Sequence, residues 1–347
     1  MSSFFSGWKW KPPAHWSIIK TIDLHTAGEP LRVITDGLQD IPGESILEKR
    51  SFFREHLDHI RTGLMWEPRG HADMYGAVIT PPVTDDGDFG VFFIHNEGYS
   101  TMCGHAIIAL ATLMLETGRI RINETEPVIR IDAPPGRITA RAIIKEGKVE
   151  RVYFENVPSF VLHQQQPLEI PGFGKIIIDV AYGGAFYAFT DIEPLGLDLT
   201  SNDYNRLIEM GRKIKQATIE QYDINHPYSK ELSFLYGTIF TGTAENSNNH
   251  SRNVCIFADG EVDRSPTGTG VSARAAIHHR RGELPVGTSI RIESILGTTM
   301  DIKVKSLARF GPFDAVIPEV SGSASIIGKH EFYFDPSDPL RKGFIFR

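Results

Sequence analysis

Cysteine is nearly absent: only Cys103 and Cys255 occur in 347 residues. That excludes a disulfide framework and any cysteine-rich zinc site, and the expected compartment is the reduced cytoplasm. There is no basic excess either. Lys+Arg total 36 against 43 Asp+Glu, a net charge of −7 with no basic stripe, so nucleic acid is not an expected partner. Long apolar runs are missing as well. The most apolar stretch, Ala106 to Leu115, is far too short to span a bilayer, and the start MSSFFSGWKWKPPAHW lacks the basic-then-apolar order of a secretory signal. No membrane partner is expected. No pair of histidines has a metal-ligand spacing such as HExxH, so neither a metal nor another cofactor is anticipated.

What is present is an ordinary globular composition, long enough for two domains of about 150 residues each. IIKTIDLHTAGEPLRVITDG reads as two strands about a turn at Gly28/Pro30. Gly43 to Ile60 reads as one amphipathic surface helix, and Thr101 to Thr117, apolar nearly all round, as a buried helix stopped by Gly118. Ser201 to Gln216 reads as a second amphipathic helix capped by Ser201 or Asn202, and TGTGVSARAAIHHRRG as a helix ended by Gly282. Strand patterns with turn signals fill the remainder, which predicts an α+β fold rather than alternating βαβ units.

One internal echo links the halves. Met102-Cys103-Gly104-His105-Ala106-Ile107-Ile108-Ala109 aligns with Pro266-Thr267-Gly268-Thr269-Gly270-Val271-Ser272-Ala273. In both, a residue bearing SH or OH precedes a glycine and a helix of small side chains. The geometric reading is two similar domains presenting two helix N-termini to one inter-domain cleft.

Cys103 stands at or just before its helix, where unpaired N–H groups favour a thiolate and can bring a thiol from about 8.5 into a range of roughly 3.5–7.5. Such a thiolate is a base or a nucleophile. Gly104 leaves the backbone amides open to an anionic group. His105 binds substrate, holds the loop or simply packs; a dyad with Cys103 is not expected, because side chains two apart on a helix do not face one another. Cys255, in NVCIFADG, reads as packing. Gly268-Thr269-Gly270-Val271-Ser272-Ala273 imitates a dinucleotide fingerprint, but the turn Asp263-Arg264-Ser265-Pro266 separates strand from glycine, which argues against NAD. Those amides suit a smaller anion, and Asp263 suits either a substrate ammonium or an Asx-turn into Pro266.

Together, DLHTAGEP, EPRGHADMYG, the MCGH helix start and DRSPTGTG resemble the proline racemase family, from about Ile18 to the C-terminus. The resemblance implies a diaminopimelate epimerase-like architecture: two domains, each a curved, mostly antiparallel sheet around a central helix, closing on an imino acid. The borders it suggests are 1–160 with 335–347 for the first domain and 161–334 for the second. It implies Cys103 as a catalytic base, substrate contacts from Gly104, His105, Asp263, Gly268 and Thr269, and a small imino acid as partner; a homodimer is left open.

The pattern departs at one position. Two-base racemases and epimerases of the family read DRSPCGTG, whereas this chain has Thr267 in place of the second cysteine. A threonine hydroxyl is far too weak an acid to shuttle a proton near neutrality, so Thr267 is expected at the catalytic site as a hydrogen-bonding group to substrate or water, or as a filler of the space left by sulfur. The Thr-bearing branch implies loss of water from trans-3-hydroxy-L-proline, giving Δ1-pyrroline-2-carboxylate. In that isomer the α-hydrogen and the 3-hydroxyl share one ring face, so a single thiol there can serve both. The alternatives are 4-hydroxyproline 2-epimerisation or proline racemisation and, further off, a cysteine hydrolase or a non-catalytic imino-acid binding protein.

Overall fold

The computed structural model describes residues 10–121 and 124–346. Five α-helices are embedded in one strand-rich, closed sheet: α1 (Ile46–His56), α2 (Asp58–Met65), α3 (Gly104–Glu116), α4 (Tyr204–Gln221) and α5 (Gly268–Arg280).

The order of pairing repeats from one half of the chain to the other. In the first half Glu29–Asp36 runs parallel to Tyr75–Thr80. That strand turns back along Phe89–His95, which carries the short Gly98–Ser100 and then pairs in parallel with Val128–Ala133. In the second half Phe186–Asp191, Leu235–Gly242, Ser251–Phe257, Glu261–Asp263 and Ser289–Glu293 pair in the same sequence of parallel and antiparallel ladders. The helices α1 and α2 in one half, and α4 in the other, connect matching strands; α3 and α5 follow the matching short strands. Both parallel steps in each half need such crossovers, and antiparallel hairpins supply the rest.

The central strands Phe89–His95 and Ser251–Phe257 are buried on both faces, and strand alternation sorts their side chains. Along Phe89–His95, Phe89, Val91 and Phe93 face the core around α3, while Phe92 and Ile94 pack outward with Phe53 and Leu64 of α1 and α2. Along Ser251–Phe257, Cys255 and Phe257 face inward and Val254 and Ile256 pack outward with Leu207 and Ile214 of α4. The inner cores of the two halves form one continuous apolar cluster.

Several elements differ from the sequence expectation. The single helix over 43–60 is two. Ser45 caps α1 by accepting from the Glu48 N–H at 3.2 Å, and Leu57, at φ −124°, ends it before Asp58 restarts α2 with its carboxylate on Arg61 at 2.6 Å. The buried helix begins at Gly104 rather than Thr101, because Cys103 is extended. Ser201–Asp203 is a 3-10 turn leading into α4, which runs on to Gln221. Ala324–Phe334, grouped with 161–334 on sequence grounds, lies antiparallel along Ser17–Thr26 from Thr26↔Ala324 to Ser17↔Phe334. It covers what would otherwise be an open sheet edge beside α3. Of the tryptophans near the start, Trp8 lies outside the described residues, while Trp10 packs edge-on against Trp16 and Tyr333.

Candidate active site

The two helix starts touch backbone to backbone. A Cβ added to Gly104 would stand 2.6 Å from the Gly268 Cα, and one added to Gly268 would stand equally close to the Gly104 Cα. Both glycines are therefore required by the helix-to-helix approach itself, a reason the sequence did not supply. Around this contact Cys103, Gly104, His105, Asp263, Thr267, Gly268 and Thr269 line one small space. All seven residues expected at the site are brought together. A larger groove lies at the opposite end of α3, against Leu113 and Thr117, and none of the seven lines it.

Cys103 is the N-cap of α3, with φ −144° and ψ 106°. Because the cap is not yet helical, its side chain escapes the spacing rule for helical neighbours, and its Sγ sits 3.1 Å from His105 Nδ1. The expected separation of Cys103 from His105 is corrected on this point. The thiol's acidity is corrected too. Burial pushes it well above its ordinary range, and the Ala106 N–H at the helix start opposes this only in part. Burial also holds His105 neutral, down to about 3, with the Pro30 carbonyl bonded to the ring. Burial thus favours a neutral thiol–imidazole pair at Cys103 and His105.

Thr267 takes the matching place at α5 in a different conformation, with φ +68°. A β-branched residue in the left-handed region costs on the order of 1–3 kcal/mol. The surroundings hold it there: its N–H donates to Ser265 Oγ at 3.1 Å, and the Pro266 carbonyl accepts from Asn253 Nδ2 at 3.1 Å. Asn253 is in turn fixed by buried Arg274, which donates to its Oδ1 at 2.8 Å. The Thr267 hydroxyl is buried, faces the space and has no hydrogen-bond partner among the described residues.

Asp263 makes the Asx-turn, accepting from the Ser265 N–H at 2.7 Å, and also lines the space. Burial raises its carboxyl above the usual carboxylate range. Thr269 is held by Tyr187, whose hydroxyl lies 2.7 Å from its Oγ1.

Sequence reasoning missed several lining residues: Tyr75, Met102, Tyr187, Tyr236, Cys255 and Phe257. Cys255, read as plain packing, belongs to the wall, because strand alternation turns it to the same face as Phe257. A signal for two of the tyrosines was available: Tyr75-Gly76 and Tyr236-Gly237 open matching strands, YGAVIT and YGTIFT, upstream of Cys103 and Thr267. Two residues of the quoted motifs tie the halves together. Glu29 of DLHTAGEP accepts from the Arg264 N–H at 2.7 Å, and Asp73 of EPRGHADMYG pairs with Arg264 at 2.6 Å.

Known proteins share this arrangement. A family model described as proline racemase matches residues 21–345. The trans-3-hydroxy-L-proline dehydratase of Colwellia psychrerythraea is 48% identical over 98% of this chain and 96% of its own. A 3-hydroxyproline 2-epimerase of Burkholderia multivorans is 43% identical over 95% of this chain and 98% of its own. A crystal structure of a hydroxyproline epimerase from Agrobacterium vitis with bound trans-4-hydroxy-L-proline superposes with a TM-score of 0.90 at 28% identity, covering 96% of each chain. With its paired helix starts, its ordered motifs and a match over nearly its whole length, the chain belongs to the proline racemase family.

Proposed function

We propose that the protein dehydrates trans-3-hydroxy-L-proline to Δ1-pyrroline-2-carboxylate, a hydro-lyase reaction on a small imino acid. The observation that carries this reading is the chemical inequality of two structurally matched helix starts, a thiol at Cys103 and a hydroxyl at Thr267. The dehydratase relative at 48% identity supports it.

In the proposed mechanism the cationic ring nitrogen of the substrate enters beside Asp263 and supplies the positive charge that this buried carboxyl and the buried thiol lack. An opposite charge at close range favours both ionised forms, so a buried thiol and a thiolate beside bound substrate are compatible. The Cys103 thiolate takes the α-proton, and the C–H electron pair becomes the Cα–C3 double bond as the C3–O bond breaks. The Cys103 thiol returns its proton to the departing oxygen, releasing water and an enamine that tautomerises to the cyclic imine. Backbone amides at Gly104, His105, Gly268 and Thr269 hold the substrate carboxylate as it gains enolate character. The two helix-centred halves act as domains closing over the substrate, with the return to the first domain at Ala324 rather than at 335.

Incubation of the purified protein with trans-3-hydroxy-L-proline should yield the cyclic imine, and its absence would overturn the reading. The Burkholderia multivorans relative favours a second reading, inversion at Cα. Turnover in D2O separates the two: dehydration gives imine, whereas inversion gives the deuterated epimer with its hydroxyl intact.

A further inference from the structure

Building on the dehydration reading, we propose that Tyr236 recognises the 3-hydroxyl of the substrate, the group that distinguishes this imino acid from proline. Three tyrosines line the cavity. The Tyr75 hydroxyl is bonded to Ser100 Oγ and the Tyr187 hydroxyl to Thr269 Oγ1. The Tyr236 hydroxyl has no hydrogen-bond partner among the described residues, although the residue is only 8% exposed. A buried polar group left unpaired is costly, and buried groups in folded proteins are rarely left so. A ligand that supplies an oxygen here removes that cost.

The ring is fixed in place. It stacks on Phe257 at 5.4 Å and meets Tyr187 and His95 edge-on at 5.8 and 6.3 Å. Its position in the cavity matches the stereochemistry. Tyr236 shares His95 and Phe257 as ring neighbours with Tyr75, and the Tyr75 ring meets His105, the imidazole beside the Cys103 sulfur, edge-on at 4.9 Å, which sets Tyr236 toward the thiol end of the space. Because the 3-hydroxyl of the trans isomer is on the same ring face as the α-hydrogen, a substrate presenting that hydrogen to Cys103 also presents its hydroxyl to the thiol end. Burial keeps the phenol protonated across the neutral range, so Tyr236 donates a hydrogen bond to the departing oxygen and retains its own proton. The proton that leaves in water comes from Cys103. A pocket built to pair a substrate hydroxyl discriminates strongly against the analogue without one.

Binding can be read without turnover by calorimetry in a Cys103→Ala background. There the protein is expected to bind trans-3-hydroxy-L-proline at least 10-fold more tightly than L-proline. Adding Tyr236→Phe is expected to bring the ratio within about 3-fold while leaving L-proline affinity unchanged, which also reports that the site is still folded. The proposal is overturned if Cys103→Ala shows no preference, if the preference survives Tyr236→Phe, or if affinity for both ligands falls in step. Failure of the dehydration reading shows separately, as no imine from the intact enzyme, and leaves the binding ratio to decide on Tyr236.

Discussion

The starts of α3 and α5 occupy matching places in a repeated ladder order, and their glycines meet at a shared contact, yet the residues capping the two helices behave differently. Cys103 is extended, with a neutral imidazole 3.1 Å from its sulfur. Thr267 is left-handed, braced through Ser265, Pro266 and Asn253, and its hydroxyl is unpartnered. The helices make matching backbone contacts where they pack, while their caps differ in chemistry. On the proposed reading, the identity of one cap changes the reaction without changing the architecture.

The largest effect should come from removing the thiol. Cys103→Ser is expected to lower kcat on trans-3-hydroxy-L-proline by about 10³-fold, within the range for loss of a general base. Cys255→Ala, on the same wall, should stay within about 3-fold of the parent enzyme; equal losses would show that the two thiols are not distinct in role. Next, Gly104→Ala and Gly268→Ala should each destabilise the fold by roughly 1–3 kcal/mol through overpacking, measured by urea unfolding. Because each added Cβ meets the other glycine's Cα, the two losses should be similar, and a large disparity would break the structural half of the comparison.

Restoring the second thiol tests the chemical half. Thr267→Cys is expected to introduce measurable deuterium incorporation and inversion at Cα in D2O, with dehydration retained within about 10-fold. If no inversion appears, the identity of the cap does not by itself set the reaction. The smallest effect concerns pH. His105 is held neutral to about 3 when folded, against an ordinary value of 6.5. Between those limits the unfolded state binds the extra proton, so stability is fully present above about 6.5 and is lost as the pH falls, by up to about 1.4 kcal/mol per pH unit. Urea unfolding at pH 7 and pH 5 should show this loss, and His105→Gln should reduce it.

Much of the architecture was legible from local pattern. The buried character of α3, the stop at Gly282 and the hairpin at Gly28 follow from apolar content and glycine placement. The echo between MCGH and PTGTG anticipated the paired helix starts. Helix limits were less legible. Leu57 ends α1 inside an unbroken amphipathic pattern, where Asp58 is drawn to Arg61 and Tyr99. Cys255 packs in the core as expected, but its second place, on the cavity wall, was not legible until the strand's inward face was known.

By itself the sequence determined the chemical inventory: one thiol at a helix start, threonine at its counterpart, and the ordered motifs that carry the family. Those are properties of residue type and spacing, which survive without coordinates. Tertiary structure alone decided that Gly104 and Gly268 touch, that an extended cap brings Cys103 onto His105, and that burial raises the thiol rather than lowering it. It also decided that Tyr236, distant from Cys103 in sequence, brings an unpaired hydroxyl to the same cavity. These depend on chain segments far apart in sequence and on the exclusion of water between them, and no local pattern records either.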